Sequence, residues 1–396
     1  MKARLRLRAP LAGAWLALLL AGCSVEISSP QLAATATIAA TIASPPAALP
    51  TILQPGNPVA LLTPTPRPTT AQGAIATPRS GLPTPLPLPG SAAGAWAALQ
   101  LRGQALLSNG SHGVFSIDLA SGAKTTLFTP PENSHLTAAL RAPDGTQMVL
   151  CYAPPPADGK VQRGFTGLYL LPAAGGAEPL ALVDNAAGQE AYFMPVWSPD
   201  GKYLYYSHVV ADAAFQNNVE RMQFPDGAAE VLVQNAYRPA LSADGTQLAY
   251  LGVDAESFAL GVFIAAADGS AARQLVPPEA FYTLDEIFFA ADGSAVYVST
   301  VGDYTPQPLS WLDRLLGVGI AGAHSVPSDW WRADVRTGAL QRITDVQGIG
   351  LHGSPLGASG RILFRSHQGL FTAQADGSAL QHLLALEALG SLQWFP

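Results

Sequence analysis

The stretch Trp197-Ser198-Pro199-Asp200-Gly201-Lys202-Tyr203-Leu204-Tyr205-Tyr206 limits the possible folds more than any other part of the chain. It reads as the end of one strand, a Pro-Asp-Gly turn, and an alternating apolar strand. Proline presets its own φ, aspartate bonds a neighbouring amide, and glycine takes the positive φ that closes such a turn. Copies aligned on the turn glycine fall at Gly103, Gly145, Gly201, Gly245, Gly293 and Gly360, between 42 and 67 residues apart. Those intervals suit a four-stranded propeller blade with loops of variable length.

A second repeat lies inside each interval: a strand, a small Gly-containing turn and another strand. Gly113-Val114-Phe115-Ser116-Ile117-Asp118 to Gly122, Gly261-Val262-Phe263-Ile264 to Gly269, and Gly369-Leu370-Phe371-Thr372 to Gly377 show it most clearly. Two motifs alternating six times predict an all-β fold, a six-bladed β-propeller of four-stranded antiparallel blades over residues 96–396. The leftover segment Ser391-Leu392-Gln393-Trp394-Phe395-Pro396 matches the strand before the Trp197 turn. It is expected to close the ring by pairing with the first blade, which removes an exposed sheet edge. Turn-rich composition agrees: 38 Gly and 34 Pro against only 12% charged residues is a balance that favours an all-β chain.

These turns and strands resemble the TolB-like, WD-like β-propeller repeats of bacterial envelope proteins. The resemblance covers about 300 residues and implies the fold. It does not imply one activity, because such propellers serve as scaffolds, receptors and accessory domains of peptidases. The chain departs from the Tol protein in lacking a counterpart of its N-terminal domain.

The amino terminus carries a different signal. Lys2, Arg4, Arg6 and Arg8 precede the apolar run Leu11 to Leu20, which is too short for a stable bilayer span, and Leu20-Ala21-Gly22-Cys23 follows. This resembles the lipobox of bacterial lipoproteins. It implies a signal peptide over residues 1–22, cleavage before Cys23, and a diacylglycerol on the Cys23 thiol. Acyl chains contribute ~0.8 kcal/mol per buried methylene, so two or three anchor a protein stably. The expected location is extracytoplasmic, lipid-anchored to a bacterial membrane.

Residues 23–95 are dominated by Ala, Thr, Pro and Ser, as in Leu62-Thr63-Pro64-Thr65-Pro66-Arg67-Pro68-Thr69-Thr70. Such a segment cannot bury enough apolar surface to offset its ordering entropy and reads as a disordered stalk. It would span roughly 220 Å as polyproline II and on the order of 50 Å as a flexible coil. With Cys23 lipidated, Cys151 has no partner for a disulfide, and in its strand context it reads as a buried small hydrophobe. Beyond residue 22 the chain has 17 Lys and Arg against 28 Asp and Glu, an acidic balance that excludes charge-driven nucleic-acid binding.

Strand alternation then says where to look for function. The short Asp-Gly turns share one face, and the long irregular loops share the other with the approaches to each innermost strand. Loops on a rigid scaffold carry recognition more often than the scaffold does. The funnel on that face is expected to be lined by residues just upstream of the innermost strands: His135, Tyr192, Phe193, Tyr237, Arg238, Asp285, Glu286 and His352. Aromatic, cationic and carboxylate groups at one mouth would suit a small polar ligand or a peptide end.

The longest insertion, residues 302–328, holds a run from Pro308 to Ile320 with Leu312, Leu315 and Leu316 at helical spacing. The segment is expected to cap the propeller, and Trp311, Leu312, Leu315 and Leu316 would be its partner-binding residues if it docks elsewhere. No G-x-S-x-G elbow, H-E-x-x-H pair, P-loop or Rossmann glycine set is present. Isolated Asp-Gly aspartates on separate blades do not form a calcium loop. No catalytic residue, metal or cofactor is expected. The favoured reading is a non-catalytic binding or scaffold module for a protein, peptide or small polar ligand. The alternatives are a metal-dependent, lactonase-like hydrolase at the funnel, and a sensor or assembly subunit docking a membrane complex through residues 302–328.

Overall fold

The computed structural model describes residues 98–396 except 111, 158–164, 186–189, 211–215, 255–258, 282–283, 301–326 and 387–389. Cys23, the stalk and the 308–320 run lie outside the described residues.

Among the described residues, twenty-four strands form six four-stranded antiparallel sheets. Blade 2 shows the plan: β4 (His135–Arg141), β5 (Gln147–Ala153), β6 (Gly167–Pro172) and β7 (Leu180–Val183) pair in chain order from the axis outward. Blades 3 to 6 repeat it, each with four strands paired in chain order: in blade 3, β10 (Gln216–Gln223) and β11 (Ala229–Gln234) lie outermost; in blade 4, β13 (Gln247–Val253), β14 (Ala259–Ala266) and β15 (Arg273–Val276); in blade 5, β18 (Asp329–Asp334) and β19 (Leu340–Arg342); in blade 6, β22 (Gly369–Gln374) and β23 (Gln381–Leu384). Their innermost strands are β8 (Glu190–Trp197), β12 (Ala236–Leu241), β16 (Ile287–Phe289) and β20 (His352–Pro355). The second strands of blades 3, 5 and 6 are β9 (Tyr203–Val210), β17 (Ala295–Thr300) and β21 (Arg361–Ser366).

Blade 1 is assembled from both ends of the propeller. Its outer strands are β1 (Gln104–Asn109), β2 (Gly113–Asp118) and β3 (Lys124–Phe128), and its innermost strand is the C-terminal β24 (Leu392–Phe395). Residues Gln104 and Leu107 of β1 pair with Phe395 and Leu392. The ring therefore closes as the leftover strand predicts.

The inner strands of each sheet are buried on both faces, whereas outermost strands such as β3 and β7 are largely exposed, so strand alternation in the inner strands divides residues between two apolar layers. In β9, Leu204 and Tyr206 pack toward blade 2 against Val149, Cys151 and Leu168, whereas Tyr205 packs toward blade 4 against Leu248 and Tyr250. One such layer fills each of the six gaps between blades. Cys151 is wholly buried in one of them, and burial pushes its thiol pKa far up.

The turn that defined the repeat has the expected chemistry. The Ser198 hydroxyl donates to Asp200 Oδ1 at 2.7 Å, and the Lys202 amide donates to the same oxygen at 3.1 Å. Gly201 lies at φ +70° and its amide reaches Ser198 O at 2.9 Å. In the Gly360 copy, where no aspartate stands, Ser359 Oγ accepts from the Arg361 amide at 3.2 Å instead.

Candidate functional site

All six innermost strands line a channel along the propeller axis with a volume of about 910 Å³. One end is ringed by the Asp-Gly turns, with Asp144, Gly145 and Pro199 in its wall. The other opens on the loop face, where Met194, Arg238, Glu286 and His352 line it.

Backbone irregularity aims these side chains. Register shifts interrupt β8 between Phe193 and Val196, and β12 between Tyr237 and Ala240. Each bulge contains a proline, Pro195 and Pro239, as expected where no amide can join the ladder. The residues just before them, Met194 and Arg238, lie at φ +50° and +56°. Both side chains are thereby turned into the mouth, with Arg238 Nη1 at 3.6 Å from Met194 Sδ.

Two buried serines hold the backbone at this level. Ser207 Oγ on β9 accepts the Arg238 amide at 2.8 Å, and Ser299 Oγ on β17 accepts the Glu286 amide at 3.0 Å.

The four charged or ionisable groups of the mouth meet. Arg238 Nη2 donates to Asp285 Oδ1 at 3.1 Å, and its Nη1 to Glu286 Oε2. His352 Nδ1 lies 3.2 Å from that same Glu286 oxygen. Asp285 is almost wholly buried, 1% exposed, while Glu286 is partly open to the channel. A guanidinium shared between two carboxylates with an imidazole alongside is a rigid polar cluster in a mouth otherwise walled by proline, valine, alanine and phenylalanine.

The remaining residues expected at the funnel lie elsewhere. Tyr192 is in the layer between blades 2 and 3, stacked on His208 at 4.3 Å and donating to Glu190 at 2.9 Å. Burial, then the hydrogen bond to Glu190, push its phenol pKa up. His208 in turn bridges Glu220 at 2.7 Å and Glu190 at 3.5 Å. Phe193 packs on that same layer, Tyr237 on the layer between blades 4 and 5, and half-buried His135 pairs with Ala153 at the start of β4. Met194, Ser207 and Ser299 were not among the expected residues. The Met-Pro and Arg-Pro pairs inside otherwise regular strands were the available sign of the bulges. Trp311, Leu312, Leu315 and Leu316 lie outside the described residues.

Among the described residues, no group of three or more His, Cys, Asp and Glu is arranged to hold a metal ion.

Fold and channel together define a six-bladed β-propeller with a polar mouth on its loop face, and the architecture is TolB-like. A putative TolB from Agrobacterium tumefaciens superimposes with a TM-score of 0.51 at 16% identity over 75% of this chain and 99% of that one. A chain of the nidogen/laminin complex does so with 0.52 at 10% identity, over 73% and 97%. An oligogalacturonate lyase with manganese reaches only 0.45 at 13% identity over 69% and 70%, too distant to bear on chemistry. No family model and no curated protein matches the chain. At these identities the likeness is one of fold.

Proposed function

We propose that the chain is an extracytoplasmic lipoprotein, anchored through a diacylglycerol on Cys23 and raised on the 23–95 stalk, whose propeller binds a protein, peptide or small polar ligand without chemistry of its own. The observation that carries the binding reading is the convergence of Arg238, Asp285, Glu286 and His352 on the loop-face mouth of the axial channel. A fixed polar cluster in a concave apolar setting is what orients a bound ligand. The anchor rests on Leu20-Ala21-Gly22-Cys23 and the basic, apolar run before it. No observation favours the metal-dependent hydrolase, and the segment invoked for docking a membrane complex lies outside the described residues.

Two experiments test the two halves. Cys23→Ser should move the protein from the membrane to the soluble fraction, and retention on the membrane would refute the anchor. Met194→Trp fills the mouth from an already irregular backbone position. It should abolish ligand binding with little change in thermal midpoint, and unaltered binding would count against the mouth.

A further inference from the structure

The chain has four methionines, Met1, Met148, Met194 and Met222, and Met1 lies outside the described residues. Met148 and Met222 are packed among apolar side chains in the layers between blades, 1% and 5% exposed. Met194 differs from both. It lines the axial channel at the loop-face mouth and is only partly buried. The cause is the bulge of β8, where Met194 stands at φ +50° before Pro195 and leaves the layer that Tyr192 and Phe193 join. A thioether sulfur takes an oxygen atom from mild oxidants, at a rate that follows access. Burial therefore protects two of the described thioethers, and backbone geometry presents the third.

The sulfur of Met194 is also held from one side. Arg238 Nη1 donates to its Sδ at 3.6 Å, and Arg238 is itself fixed by Asp285 and Glu286. One of the two weakly accepting lone pairs of the sulfur is thus directed at the guanidinium, which leaves the other for attack from the channel. We infer that Met194 is a site of reversible oxidative modification, converted by a peroxide or a hypohalous acid to a sulfoxide with one epimer in excess. With hydrogen peroxide, the free lone pair of Sδ attacks one peroxide oxygen, an S–O bond forms and the O–O bond breaks. The departing hydroxide takes the proton of the transferred oxygen and leaves as water. The sulfur is oxidised by two electrons and the peroxide is reduced by two. The product sets a polar, chiral group beside Arg238 in place of an apolar one, and reductases specific for each epimer restore the thioether. This assignment does not depend on a ligand entering the mouth.

Treatment of the full chain with hydrogen peroxide, followed by peptide mapping by mass, tests it. Met194 should gain an oxygen at least about tenfold faster than Met148 and Met222, and digestion with the two epimer-specific reductases should show one epimer well in excess. Unfolding in denaturant should bring these three methionines to one rate and the epimers to equality. The NMR signals of the Arg238 guanidinium should move on oxidation, and the same treatment of Met194→Leu should leave them in place. Met148 or Met222 oxidised as fast as Met194 in the folded protein would overturn the assignment. Equal epimers from the folded protein, or Arg238 signals indifferent to oxidation, would overturn the part given to Arg238. Should Met194→Leu fail to fold, the rates and the epimer ratio of the unaltered protein decide.

Discussion

At Gly245 the chain holds φ +70°, and a Cβ built there would lie 2.9 Å from the Cδ of Pro199 in the neighbouring turn. Gly377 is tighter, with φ +81° and the carbonyl of Ile343 where a Cβ would go. Alanine at either position is both strained and obstructed. Gly377→Ala should destabilise the propeller by about 2–3 kcal/mol in denaturant titrations, more than Gly245→Ala, whose obstacle is a proline ring. The aspartates of the turns act through hydrogen bonds. Donation from Ser198, then from the Lys202 amide, holds the Asp200 carboxyl down to about 2. Its pKa is lower folded than unfolded, so its contribution is complete above about pH 4 and disappears as pH falls through about 2. Carboxyl-carbon NMR should show Asp200 titrating well below an unfolded-chain aspartate, and Asp200→Asn should flatten the acid limb of the stability profile. Asp329 is the opposite case. Burial raises its pKa, yet it accepts from Arg342 at 2.7 Å and Thr344 at 3.0 Å. Asp329→Ala would leave the buried Arg342 with Asp345, at 2.8 Å, and would remove the acceptor of the Val346 amide; a loss of about 1–3 kcal/mol is expected.

Among the elements, β24 has the largest structural task for its length. Gln393 spans to blade 2, accepting the Arg141 amide at 2.6 Å and donating to the Arg141 carbonyl at 3.0 Å. Ser391 Oγ accepts the Ala139 amide at 2.9 Å, and Trp394 Nε1 donates to Arg102 O at 2.9 Å. These three residues of the tail thus bond the second blade and the chain leading into β1, beside the pairing of β24 with the first blade. Removing residues 391–396 should cost the sharp thermal transition, because blade 1 would lose its inner strand and its neighbours their covering layer. Gln393→Ala alone should lower stability by about 1–2 kcal/mol. This closure was readable because the tail repeats the apolar pattern of the strand before the Trp197 turn. The inner-strand bulges were harder to read. A regular strand would send Tyr192 and Met194 to the same side, and the register shift after Phe193 breaks that parity. Tyr192 therefore packs between blades while Met194 faces the channel. Arg238, Glu286 and His352 were legible from chain position alone, whereas Ser207 and Ser299 were not, since a serine near a strand end resembles any polar rim residue.

For the whole molecule, the repeats determined blade number, blade order and the division into a turn face and a loop face. They did so because every blade must solve the same turn and the same two-sided burial. Ligand identity has no such redundancy: a single mouth is built from four blades' worth of unlike residues, and no spacing rule relates them. The acidic balance of the molecule and the polar cluster at the mouth are the two large-scale features that bear on what enters. Recognition is assigned to the loop-face mouth and not to the Asp-Gly turn face. Site-specific photocrosslinking in intact cells tests it most directly, with a benzophenone side chain placed at Met194 in one variant of the full chain and at Asp292, on the opposite face, in another. A discrete adduct is expected from Met194, lost when Glu286→Gln is added, and none from Asp292. An adduct formed only from Asp292, or equally from both positions, would contradict it.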